Sequence, residues 1–272
     1  MTRHPVGIHP ALMTTSSNLS PIRGRNWLPF LIGFVILWAT LALLGGFITY
    51  GLWGVPVFIA VAIVALVVER VVYRTPFRAW VSTLGLGRPG WKVVLLAAAV
   101  SGLVVLVFPL TTFVTGAQLT LVTDWPLILI GLFAYHGLAE ELVWRQYSFN
   151  RLRAGRSFPR AVLWTMPLIA AAHIPIIISG GPVVGIGAML VAAITSIPLG
   201  YLYETGRGTI WAPAMLHTAI DTFKIFVIPA AAVMTFSLLL IAVSLTVPLL
   251  VLVVRRRVLV DSTPVPAELV AR

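Results

Sequence analysis

Two adjacent carboxylates, Glu140 and Glu141, stand inside a run that otherwise reads as a membrane helix, from Trp125 through Leu127-Ile128-Leu129-Ile130 to Tyr147. The chain has only 8 Asp and Glu in 272 residues, so two of them side by side in apolar surroundings require a physical reason. An ionisable group at mid-helix in a bilayer costs at least about 2.5–3.5 kcal/mol on insertion scales, and therefore has a partner or a function. Arg145 follows Glu141 at i+4 with the acid N-terminal, the better orientation for a helical ion pair. Glu140 points to another face, as successive helix residues do. The expectation is a division of labour: Arg145 holds Glu141 ionised, and Glu140 faces a cavity as a general base. His136, one turn before Glu140 on the same face, reads as structural, with a hydrogen bond to Glu140 as the open alternative; Tyr147 and the arginines between spans read as structural too.

Three further ionisable groups lie in apolar runs: His173, and His217 with Asp221. The last two share a helix face at i,i+4, which suits either a metal site or two groups around one reacting carbonyl. Lys224, three residues after Asp221, is a local rival that could simply neutralise it. With Cys 0, thiolate nucleophiles, disulfides and cysteine-ligated metals are excluded. No HExxH helix, paired-aspartate motif or GxSG turn is present.

The elements that must position these groups follow from composition. At 59% hydrophobic and 10% charged, with a mean hydropathy of +1.01, the chain is too apolar for a soluble domain. It reads as an all-α polytopic membrane protein, a bundle of about eight transmembrane helices around an intramembrane polar cavity. The formal net charge of +11 falls in short clusters between apolar runs rather than on one basic face, which excludes nucleic acid as the partner. Residues 1–26 read as a polar tail and 255–272 as a second one, flanking a transmembrane bundle at 27–254.

Apolar runs place spans at 27–50, 55–68, 93–114, 125–147, 161–179, 183–203 and 210–228, with the eighth opening at Pro229 and closing at Arg255-Arg256-Arg257. Residues 71–91, with Phe77, Trp80, Leu84, Arg74, Arg78 and Arg88, and Arg70 at the edge, resemble a short interfacial helix. Gly180-Gly181-Pro182 is the turn between spans five and six. Lys and Arg cluster at every second connection, which puts both termini in the cytoplasm of a multi-pass cell-membrane protein. At about 1.5 Å per residue from the basic end of each span, Glu140 and His217 lie about 15 Å deep and His173 about 19 Å. Three helices thus present polar groups at one depth.

Taken in order, these groups resemble the motifs of the CAAX protease and bacteriocin-processing family of intramembrane endopeptidases, the Rce1-type or Abi proteins. Glu140-Glu141-Leu142-Val143-Trp144-Arg145 matches EExxxR, and His217-Thr218-Ala219-Ile220-Asp221 matches HxxxN/D. Ile169-Ala170-Ala171-Ala172-His173 matches FxxxH with Ile in place of Phe. The resemblance covers residues 84–226. It implies a peptide or protein substrate, lipidated or membrane-embedded, within the lipid bilayer, and peptide hydrolysis by a water activated at Glu140 and His173, with His217 and Asp221 at the oxyanion. An ionised Asp221 would repel that oxyanion, so it would have to be protonated or bind a metal. A zinc reading would use His173, His217 and one or both of Glu140 and Asp221 as ligands. Two other readings use the same fold: a non-proteolytic bacteriocin-immunity protein or scaffold, and a transporter with a buried proton relay.

Overall fold

Peptide groups in hydrocarbon have no water to bond, so an apolar chain in a bilayer closes its hydrogen bonds within helices. The computed structural model describes residues 27–45 and 52–253 and is an all-α membrane-protein fold. Its main segments are α1 Trp27–Gly45, α2 Gly54–Val72, α3 Trp91–Thr115, α4 Trp125–Arg153, α5 Phe158–Ala172, α6 Ile174–Thr205, α7 Trp211–Asp221 and α8 Ala230–Val253. Six of these are long and apolar enough to cross a membrane; α5 and α7 are shorter. The expected tails at 1–26 and 255–272, with Arg255-Arg256-Arg257, and the end of span one at 46–50 lie outside the described residues.

The differences from the expected spans have local causes. α2 runs past residue 68 because Glu69 is not a solvated stop: it is buried and ion-paired with Arg151 of α4. Span five is interrupted at His173, where Pro175 follows and the ladder tightens to an i→i−3 bond from His173 N–H to the Ala170 carbonyl. The turn at 180–182 is present: Gly181 adopts φ +83°, a left-handed region open to glycine. Beyond it Gly185 packs directly on the backbone of Ile177, so the chain has doubled back.

Span seven is not one helix across 210–228. α7 has eleven residues, about 16 Å at 1.5 Å per residue, against a hydrocarbon core of about 30 Å. After Asp221 the Thr222 hydroxyl takes the Ala219 carbonyl, the backbone tightens into a 3₁₀ turn at Thr222–Ile225, and a two-residue strand follows. The region 71–91 is also less helical than expected. Only a 3₁₀ turn at Phe77–Ala79 and one α-turn at Trp80–Thr83 form between Pro76 and the Gly85, Gly87, Pro89, Gly90 series.

The connections gather at two ends. At one, Arg151 meets Glu69, Arg153 meets Glu204, and Ile210 N–H donates to the Gly85 carbonyl, so the basic connections lie together. At the other, β1 Thr120–Leu121, from the connection without Lys or Arg, pairs antiparallel with β2 Phe226–Val227. Between them α4 and α7 meet at the centre of the core, walled by α1, α2, α3 and α6.

Candidate active site

α4 carries the site, and it is not an ordinary α-helix where it does so. Phe133–Ala139 and Leu142–Phe149 widen into π-helical turns on either side of Glu140 and Glu141. Such i→i+5 turns are rare and concentrate at functional positions. The Ser148 hydroxyl bonds back to the Val143 carbonyl at 2.8 Å, five residues away. α7 is brought against this segment by Gly137, where a Cβ would stand 2.7 Å from the Thr218 hydroxyl oxygen and 3.1 Å from the Ala214 carbonyl oxygen. Only a residue without a side chain lets the two backbones approach this far.

Across that contact the two helices share their ionisable groups. Arg145 Nη1 donates to Glu141 Oε1 at 2.9 Å, the i,i+4 pair expected from the spacing, and both side chains are buried. The same oxygen accepts the Nδ1–H of His217 from α7 at 2.7 Å. Glu141 therefore orients a histidine as well as balancing an arginine. Its Oε2 is buried with no hydrogen-bond partner among the described residues.

Glu140 faces the less enclosed side of the cluster. Its Oε1 lies 2.7 Å from His136 Nδ1, and its Oε2 accepts the indole N–H of Trp144 at 3.2 Å. His217 Nε2 stands 3.8 Å from Glu140 Oε2 and 3.5 Å from Asp221 Oδ2. Lys224 is ion-paired with Asp221 and reaches His136 Nε2 at 3.1 Å. The side chains of Glu140, His136, His217 and Asp221 are each 13–19% exposed, against 0% for Glu141. A carboxylate held by fixed donors yet not sealed off is suited to taking a proton from a bound water.

The structure thus brings together Glu140, Glu141, Arg145, His217 and Asp221. His173 stands apart: its Nδ1–H donates to the Ile169 carbonyl at 2.8 Å, and among the described residues no hydrogen bond or ion pair joins it to the carboxylates. Its interrupted helix leaves Nε2 with a free lone pair. This separation bears on zinc. A zinc ion needs His and carboxylate donors at about 2.0–2.2 Å around one point. Among the described residues no three His, Asp or Glu groups gather in that way. Glu140, His173, His217 and Asp221 do not fit a zinc ligand set.

One partner of Glu140 escaped the sequence reading. His136, one turn before Glu140, reads as structural with a hydrogen bond to Glu140 as the open alternative, whereas Trp144 has no part assigned; both hold the Glu140 carboxylate, from i−4 and i+4. That spacing was the available signal, and it is weak because apolar helices contain many such pairs. Lys224 does neutralise Asp221, as its i+3 spacing allows.

A family model described as type II CAAX prenyl endopeptidase Rce1-like matches residues 122–223, a stretch that contains every group described above except Lys224. No curated protein matches the chain. The resemblance drawn from the three motifs is borne out over that stretch, which is similar to CAAX-protease-type membrane endopeptidases.

Proposed function

We propose that this Rce1-like chain is an intramembrane endopeptidase that hydrolyses a peptide bond with a water activated by Glu140 and His173. The observation that carries this reading is the Glu140 carboxylate, oriented by His136 and Trp144 in a partly exposed cluster midway along an apolar helix. Glu140 takes a proton from the water as its oxygen adds to the scissile carbonyl. His173, which touches none of the carboxylates, is assigned to the same water by the FxxxH resemblance, with the Nε2 lone pair that its bond to Ile169 leaves open as the acceptor. His217, oriented by Glu141 through Nδ1–H, acts from Nε2 as imidazolium and donates to the oxyanion. Collapse of the tetrahedral intermediate breaks the C–N bond, and Glu140 returns its proton to the leaving amine.

Asp221 takes a different part from an oxyanion donor. Its pairing with Lys224 removes the bare negative charge that would repel the oxyanion, and it faces His217 Nε2 from the same helix. Arg145 serves the site through Glu141. The substrate is a peptide or protein carried by the membrane, lipidated or embedded, reached from the cytoplasmic end where the basic connections gather. Both termini lie on that side, as the positive-inside rule requires.

The test is cleavage by the full chain in lipid nanodiscs of a farnesylated peptide ending in a CAAX tetrapeptide. Wild type releases the C-terminal fragment, and Glu140→Gln and His173→Ala fold normally but do not. Full cleavage by both variants removes the hydrolase mechanism.

A further inference from the structure

Lys224 does more than balance Asp221. An ammonium group has three N–H donors and no acceptor. It is ion-paired with Asp221, and its Nζ stands 3.1 Å from His136 Nε2. Next to a pure donor, Nε2 can only accept, so it is the bare nitrogen of the ring. The ring proton is then on Nδ1, 2.7 Å from Glu140 Oε1, and is donated to it. The opposite tautomer sets N–H against N–H on one side of the ring and lone pair against lone pair on the other. A doubly protonated ring keeps the first of those conflicts.

We infer that Lys224 is a positioning residue that locks His136 in its Nδ1–H tautomer and so fixes the carboxylate of Glu140. The lock crosses from the 3₁₀ turn after α7 to the π-helical part of α4, which couples Glu140 to the geometry of α7. The groups around the His136 ring are Glu140, Asp221 Oδ2 at 3.8 Å, Lys224, the Tyr135 ring at 4.6 Å and the His217 ring at 6.3 Å. Glu140 claims the Nδ1 proton, and of these groups only Lys224 touches Nε2 with a hydrogen bond, so it is Lys224 that keeps Nε2 bare. The functional half of the inference rests on the proposed hydrolysis; the tautomer does not.

The test combines a spectrum and a rate. Full-length protein in nanodiscs carries ¹⁵N-labelled histidine, with His136 assigned through labelled Tyr135 and Gly137. The wild type shows a protonated Nδ1 and a bare Nε2. In Lys224→Met a population with protonated Nε2 appears, and kcat on the farnesylated peptide falls by about tenfold or more while KM holds. Lys224→Arg, which keeps donors and charge, returns the tautomer and most of the rate. A protonated Nε2 in the wild type, or an unchanged spectrum in Lys224→Met, overturns the lock whatever the activity. A changed spectrum with wild-type kcat overturns the positioning role, and the hydrolase reading still stands if Glu140→Gln is inactive. If the wild type fails to cleave, the hydrolase reading is at fault, and the spectrum decides the lock alone.

Discussion

α4 holds two buried charge clusters about 15 Å apart along its axis, and they are built on opposite principles. At the basic end the Arg151 guanidinium lies between the Tyr73 and Tyr147 rings, 4.2 and 4.1 Å from their centroids, and is ion-paired with Glu69. Thr75 bonds Glu69, Arg151 donates to the Tyr147 carbonyl, and the Tyr147 hydroxyl donates to the Phe30 carbonyl. There each charge has one opposite partner, boxed in by aromatic faces. In the second cluster, His217 faces three carboxylates and Glu140 faces two histidines. The first arrangement has one good configuration and ties α1, α2 and α4 together. The second holds Glu140 among oriented donors and partly exposed, so it can take and return a proton without the cluster rearranging.

Substitutions separate the two, in order of expected effect. Glu140→Gln removes the base and should cut the turnover rate by about 10²–10⁴-fold, with thermal unfolding of the purified protein unchanged. Arg151→Met leaves Glu69 buried and uncompensated and should cost about 3–5 kcal/mol in reversible unfolding, with turnover per folded molecule nearly preserved. If Arg151→Met abolished turnover in fully folded protein, the contrast between a structural and a chemical cluster would fail. Gly137→Ala forces α7 away from α4 and should cost about 1–3 kcal/mol of stability, with a loss of kcat beyond that of a surface control because His217 shifts from Glu141. Trp144→Phe removes one hydrogen bond to Glu140, about 0.5–1.5 kcal/mol, and should appear as a several-fold fall in kcat with a fall in Tm of no more than about 2–6 °C.

The contrast also marks what could be read from the chain. Charge in an apolar run is costly wherever it stands, so Glu140, Glu141, Arg145, His217 and Asp221 were visible as a set, and helical spacing alone paired Glu141 with Arg145 and Asp221 with Lys224. Hydropathy placed the apolar runs, and the Gly180-Gly181-Pro182 signal placed the reversal at Gly181. It could not place the end of α7, because Phe223, Ile225, Phe226 and Val227 are as apolar in a 3₁₀ turn and a strand as in a helix. Nor could it assign Glu69, which reads as a span end until Arg151, 82 residues later, is seen to meet it. Depth estimates put His173 level with Glu140, but depth is one coordinate, and the break at His173 leaves its Nδ1 on the Ile169 carbonyl. The sharing of Glu141 between Arg145 and His217 depends on the approach of two helices at Gly137, a contact between residues remote in sequence.

The central claim, that Glu140 is the base of a membrane peptidase, is tested most directly without choosing a substrate. Peptides and proteins in membranes of cells carrying the wild-type chain are compared by mass spectrometry with those of cells carrying Glu140→Gln at equal abundance. The account predicts that at least one uncleaved precursor accumulates in the variant and that its C-terminal fragment disappears. Identical profiles from the two membranes would contradict it.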